Sequence, residues 1–408
     1  MSTMTAICPS SLAAELSAAR TRTDSLFDVL RPEALYARAI GERHRLIFYV
    51  GHLEAFDWNM VCRRGLGMPS FHPEFDKLFE FGIDPPEGSL PADVESDWPS
   101  LGEVREYNRR VRANVDAALE NASEQIVRVA IEHRWMHAET LAYLLHNLTY
   151  EQKISPDEQQ RHTSGGAVDG TMIPVPAGEA TLGQPRDQFG WDNEFDEHVV
   201  RVPAFSVGKY KVTNGEYLKF VEAGAQAPFF WVQRNGQWFY RGMFQPVPLP
   251  LDWPVYVTHE EAEAYAQWRG AALPGEAEFH RAAYEDPDGR QRAYPWGKAE
   301  PAAEHGNFDF ARWDPVPVTA NPAGESAWGI AQTVGNGWEW TATPFGPFEG
   351  FRTFDFYPRY SSAFFDGDHF VLKGGSPQTA RCLLRRSFRN WFRHRYPYVY
   401  ATFRLVQR

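Results

Sequence analysis

The stretch DNEFDEHVVRVPAFSVGKYKVTNGEYLKFV (192–221) holds short apolar runs, turn residues and a helix start in quick succession. Val199–Val202 and Phe205–Val207 have strand length rather than helix length. Thr213 then stands three residues before Glu216, the spacing of a capping box, so a helix is predicted over Asn214–Ala223. Working outward, Met172–Val175, Val371–Leu372 and Thr402–Val406 read as further short strands, and His259–Arg269 as a second helix. Gly, Pro, Asn and Asp turns separate them all. Residues 167–408 are therefore expected to form a loop-rich α+β domain.

Residues 1–160 have a different character. Apolar positions recur at helical spacing in Leu12–Leu30, Leu35–Cys62, Leu101–Asn121 and Ser123–Leu148. The stretch Gly65–Pro99 between the second and third is irregular, so a four-helix bundle with one long crossover is predicted. Residues 151–166 are polar and read as a linker. A length of 408 residues accommodates two such domains. The net charge of −12 argues against a nucleic-acid partner, whose phosphates need basic surface. Cys8, Cys62 and Cys382 lie far apart with no CxxC pair, which fits a reducing compartment. Neither a signal-peptide core nor a run of membrane-span length occurs, so a cytoplasmic, membrane-free protein is expected.

The histidines carry the chemistry. His133 and His137 are four apart on the predicted fourth helix and share one face. Their stripe, Ile126, Ala130, His133, His137, Leu141, Leu144 and Leu148, is the bundle-facing one. His52 lies on a similar stripe with Phe48 and Phe56 on the second helix. Three neutral imidazoles from two facing helices would hold a divalent metal on one side and leave the other open. A histidine on an apolar stripe is equally at home as a satisfied core residue, and spacing alone leaves both readings open. Arg134 follows His133, so there is no HExxH protease motif. Glu139 is placed to accept a proton from a ligand histidine.

Longer motifs narrow the choice. HLEAFDW (52–58) and HRWMHAE (133–139) resemble the metal-binding bundle of the DinB-like superfamily. The stretch quoted first, together with ALPGEAEFHRAA (272–283), YPWG (294–297), GNGWEWT (335–341), VLKGGS (371–376) and RRSFRN (385–390), resembles the formylglycine-generating-enzyme-like domain, a C-type-lectin-like fold. The formylglycine-generating oxidase itself uses a C-terminal cysteine pair, and here only Cys382 lies in that part. Both domains together resemble the non-haem iron sulfoxide synthases of ergothioneine and ovothiol biosynthesis. That resemblance implies Fe(II) on His52, His133 and His137, with O2 driving bond formation between a chalcogen and the imidazole of hercynine (N-trimethyl-histidine). It further implies that Asn390 and Trp391 hold the hercynine carboxylate, and that Tyr357, or as second choice Tyr360, donates a proton.

Departures from the family pattern concern the donor. Phe392 stands in RRSFRNWF where ergothioneine enzymes carry an Asp, and Met136 precedes the third histidine where Gln is common. The arginine-rich stretch expected in the crossover is replaced by FDKLFEFGIDPPEGSLP (75–91), with one Lys and four acids. A dicarboxylate donor calls for bidentate arginines. The chain in these respects resembles the selenoneine-forming branch, whose donor is a 1-seleno-sugar such as selenoglucose. The alternatives are a sulfoxide synthase taking γ-glutamylcysteine or cysteine, a DinB-like thiol S-transferase independent of O2, and a metal-stabilised binding module. Trp338, Glu339 and Trp340 of GNGWEWT are expected to be structural.

Overall fold

A computed structural model describes residues 11–83, 90–155, 165, 168 and 170–408. The chain divides into two compact units, 1–156 and 157–408. Most of the predicted linker, like much of the 75–91 loop beyond Ile83, lies outside the described residues.

The first unit is built on α1 (Leu12–Phe27), α2 (Leu46–Asp57), α3 (Pro73–Phe81), α4 (Leu101–Ala118) and α5 (Glu124–Asn147). Ser11, Ser100 and Ser123 cap α1, α4 and α5 by accepting a backbone N–H three residues on. Helix α1 packs on α5, and α2 packs on α3, α4 and α5. Because α2 is predominantly apolar and its polar side chains find partners inside the bundle, it runs through the middle, and only Val50 of its residues is not buried. A π-helical turn, Trp58–Arg64, continues it.

Two expectations are corrected here. The second helix begins at Leu46, not Leu35. Arg38 and Arg45 instead converge on the buried carboxylate of Asp93, at 2.5 and 3.1 Å, and also bond the carbonyls of Arg43 and Tyr36. These tertiary bonds hold Leu35–Arg45 in turns and override its helical periodicity. The irregular crossover also contains a helix, α3. Pro73 occupies its first turn, and the His72 ring caps it by accepting from the Phe75 N–H at 3.2 Å.

A buried charge cluster fixes the register of α2. Arg134 on α5 bonds Asp57 at 2.6 Å, Glu54 at 3.0 Å and the Leu53 carbonyl at 2.9 Å. Arg112 on α4 grips Glu54 at 2.7 Å. Burial works to raise the Glu54 carboxyl, but Arg134 and Arg112 outweigh it and hold the group below its usual range.

The second unit contains β1 (Met172–Val175), β2 (Gly178–Leu182), β3 (His198–Val202), β4 (Phe205–Gly208), α6 (Asn214–Glu222), β5 (Trp231–Arg234), β6 (Gln237–Arg241), β7 (Pro246–Pro248), α7 (His259–Trp268), α8 (Glu276–Tyr284), β8 (Trp338–Pro344), β9 (His369–Lys373), β10 (Asn390–Arg393), β11 (Ala401–Thr402) and β12 (Val406–Gln407). The sheets run β1-β4-β12, β10-β9-β8-β11, β2-β3 and β5-β6-β7. The predicted capping box forms, with Thr213 and Glu216 exchanging bonds at 3.2 and 3.0 Å.

Thr402–Val406 is not one strand. Ala401–Thr402 pairs in parallel with β8, whereas Val406–Gln407 pairs with β4 in another sheet. Between them Arg404 turns inward to Glu339, at 2.6 and 2.8 Å, and the chain changes sheet there. Helix α8 starts in the PGE of the 272–283 motif, where Glu278 accepts from the Gly275 N–H at 2.7 Å. No helix among the described residues is long and apolar enough to cross a membrane.

His259, at the start of α7, gives this unit a pH dependence. Its Nε2 donates to the Thr341 carbonyl at 3.0 Å, and its ring stacks on Phe370 at 3.8 Å. Burial, with His394 adding to it, pushes the imidazole down to about 4 despite that bond. A folded pKa below the unfolded one means this stability is complete above pH 6.5 and is lost as the pH falls through 4. Urea unfolding should therefore lose about 2–3 kcal/mol between pH 7.5 and 4.5 through this residue. His259→Gln should flatten the slope by that amount; an unchanged slope would place the acid sensitivity elsewhere.

Candidate metal centre and substrate residues

Helices α2 and α5 bring His52, His133 and His137 together, with one ring nitrogen from each lying within 4.8 Å of the others. His52 and His137 face each other through Nε2 at 3.1 Å. The rings of His133 and His137 lie 4.4 Å apart at 60°, and those of His52 and His133 5.3 Å apart at 57°. Phenylalanines one turn away hold two of the rings. Phe56 stacks on His133 at 3.3 Å and 8°, and Phe48 stacks on His52 at 4.7 Å and 26°. The apolar stripe Phe48-His52-Phe56, legible in the sequence, is thus a set of ring supports.

The partner of His52 on its other side is a backbone group, which no side-chain motif reveals. Nδ1 lies 2.7 Å from the carbonyl oxygen of Phe79 on α3. A carbonyl only accepts, so Nδ1 carries the proton and Nε2 presents its lone pair to the cluster. The facing His137 Nε2 must then either donate its own proton to His52 or share a cation with it.

Electrostatics favour uncharged rings. Burial lowers His52 to about 4, the Phe79 bond offsetting part of the shift while His44 and Arg134 add to it. Burial, reinforced by the neighbouring imidazoles, holds His133 and His137 well below the usual histidine value. All three are neutral near pH 7, the form that ligates metals. Among the described residues the Nδ1 atoms of His133 and His137 are buried without a hydrogen-bond partner. Convergent neutral nitrogens with unsatisfied polar atoms fit a divalent cation better than they fit a closed polar core. Met136 and Glu139, flanking His137, are both half-buried.

The remaining candidates lie in the second unit. Tyr360 stacks on Trp191 at 4.0 Å, meets Trp391 edge-on at 5.3 Å, and lies 5.5 Å from Tyr357. Trp391 also stacks on Phe345 at 4.2 Å and 7°. The two tyrosines and Trp391 thus share one aromatic cluster. Asn390 and Phe392 do not join it, since alternate residues of β10 point to opposite faces. The Asn390 side chain accepts from the Trp391 N–H at 2.9 Å, and Phe392 stacks on Tyr396 at 5.4 Å and 5°.

The RRSFRN run is engaged with acids from the other motifs. Arg385 bonds Glu194, Arg386 bonds Glu197 at 2.7 Å, and Arg389 grips Glu276 with two bonds of 3.0 and 3.1 Å. Ser387 donates to Glu194 at 2.7 Å. These pairs tie 385–390 to the 192–197 and 272–283 stretches. Downstream, Arg395 forks onto Glu260 at 2.9 and 3.1 Å.

The chain matches the Sulfatase-modifying factor enzyme 1-like domain over residues 158–408 and the DinB superfamily over 15–146. It is 34% identical over 420 residues to the hercynine oxygenase of Mycolicibacterium smegmatis, the alignment covering 94% of this chain and 96% of that protein. Ergothioneine biosynthesis protein 1 of Neurospora crassa is 25% identical over 490 residues, covering 93% of this chain and 55% of that protein. Among solved structures, PvdO from Pseudomonas aeruginosa is 22% identical with a TM-score of 0.43, covering 58% of this chain and 93% of PvdO.

Proposed function

This chain belongs to the family of the hercynine oxygenases, a DinB superfamily bundle followed by a sulfatase-modifying factor enzyme 1-like domain, and from that premise we propose that it is an O2-dependent non-haem iron oxidoreductase acting on hercynine. The observation that carries the proposal is the convergence of His52, His133 and His137 as neutral imidazoles. They would hold Fe(II), which when bound supplies the oxygen chemistry and acidifies a coordinated selenol or thiol.

The second substrate in this reading is a 1-seleno-sugar. The imidazole C–H and the Se–H bond break and a C–Se bond forms; O2 is the oxidant, one oxygen atom leaving as water with both hydrogens and the other ending on selenium. Tyr357, with Tyr360 as second choice, would donate the proton that this reduction consumes before a base returns it. Asn390 and Trp391 would hold the hercynine carboxylate, and Met136 and Phe392 would offer the donor apolar surface. An uncharged donor is supported by Arg385, Arg386 and Arg389, all engaged with protein carboxylates rather than set out for a substrate. The names of the relatives favour a second reading, a sulfoxide synthase of the ergothioneine pathway taking γ-glutamylcysteine or cysteine.

A competition assay separates them. The Fe(II)-loaded protein in air receives hercynine with equal amounts of 1-seleno-glucose, 1-thio-glucose and γ-glutamylcysteine, and products are read by mass spectrometry. A selenium isotope pattern on the hercynine product is expected. A γ-glutamylcysteine adduct would keep the iron site and overturn the donor assignment. Product formed equally well without O2 would point to a thiol S-transferase.

A further inference from the structure

Helix α3 lies in the crossover and carries none of the three histidines, yet its backbone reaches His52. Its Phe79 is fully buried, and the ring occupies the space beside Gly51, the residue before His52. A Cβ on Gly51 would stand 2.5 Å from the ring carbons Cε1 and Cγ, closer than side chains approach. Gly51 lies in the middle of α2, where glycine weakens a helix by roughly 1 kcal/mol relative to alanine. The close approach it permits sets the Phe79 carbonyl 2.7 Å from His52 Nδ1.

We propose that Gly51 and Phe79 are positioning residues: the glycine admits the Phe79 ring, and the Phe79 carbonyl fixes His52 as the Nδ1–H tautomer with Nε2 turned to the other two histidines. This rests on the reading that the triad holds a metal. The carbonyl removes the choice of tautomer before any metal arrives, so His52 is a preset ligand. His137 has no such partner on Nδ1, so nothing in the protein fixes its tautomer, and its single proton would sit on Nδ1 for Nε2 to act as a ligand. Helix α3 also carries residues 75–81, the first part of the arginine-free 75–91 stretch, so the helix that braces His52 is one in which the arginines of a dicarboxylate site were expected.

The test uses histidine-ring nitrogen NMR on the full-length, metal-free protein, followed by anaerobic Fe(II) titration. Wild type is expected to show His52 protonated on Nδ1 alone. Gly51→Ala should mix the tautomers and weaken Fe(II) binding about 10- to 100-fold. Because the acceptor is backbone, Gly51→Ala/Phe79→Ala frees the space and keeps the bond, and should return affinity to within about threefold of wild type. Gly51→Ala with wild-type tautomer and affinity would overturn the proposal, as would a folded double variant that fails to recover. Should Gly51→Ala not fold, wild type and Phe79→Ala decide: Nδ1–H in both supports the proposal, and Nε2–H at His52 in either overturns it. An Nδ1–H His52 in a wild-type protein that binds no Fe(II) would instead bring down the metal reading, a failure visible in the titration and not in the tautomer.

Discussion

His133→Ala should abolish iron binding while leaving the protein folded. The substitution removes one of only three ligands that α2 and α5 bring together, and no His, Cys, Asp or Glu among the described residues forms another such group there. The lost affinity should exceed the ~100-fold upper range seen when a mere supporting partner of a ligand is removed. The fold should tolerate the change. His133 is buried, but its Nδ1 has no hydrogen-bond partner, so deletion leaves no orphaned mate behind. The lost stack on Phe56 leaves a cavity costing about 2–4 kcal/mol, less than the ~5–15 kcal/mol stability of a typical domain. Iron content after anaerobic loading, with helicity by circular dichroism, checks both halves. A folded variant carrying full iron would remove His133 from the metal site and with it the functional reading.

Glu339→Ala should instead unfold the second unit or nearly so. Glu339 lies within GNGWEWT with no exposure to solvent. It accepts from Arg404 at 2.6 and 2.8 Å and from Lys211 at 2.7 Å, so one carboxylate serves two buried cations. Burial lowers Lys211 to about 8 even with Glu339 beside it. Without the carboxylate, Arg404 remains charged and buried with only the carbonyls of Gly208, Lys209 and Ala331 for partners, and losing its counter-charge costs about 3–5 kcal/mol. Arg404 also marks where the chain passes from the β8 sheet to the β4 sheet, so the damage reaches two sheets. Arg395→Ala is the control, since its pair with Glu260 is exposed and should cost under about 1 kcal/mol. Equal stability of the two variants in urea would show the Glu339 cluster to be dispensable.

Much of this was legible in the order of residues. Helical periodicity marked the bundle, the four-residue spacing of His133 and His137 put both on its inner face, and the Thr213–Glu216 box located a helix start to the residue. These signals survive in a string because they depend on contacts within one turn or one strand. What misled was equally local. Leu35–Arg45 has helical periodicity, but Asp93, almost fifty residues further on in the chain, holds its arginines in turns. Thr402–Val406 looks like one strand until Glu339 draws Arg404 inward.

Composition and periodicity thus suffice for the α+β architecture and for the shared face of His133 and His137, whereas His52, on a separate stripe, is joined to them in sequence only by the family resemblance. Which nitrogen of His52 is available, which arginines are engaged with protein acids, and that Tyr360 meets Trp391 while Phe392 faces away are matters of folding in space. Each turns on a partner distant in sequence, and for His52 that partner is a carbonyl oxygen, a group every residue possesses and none advertises.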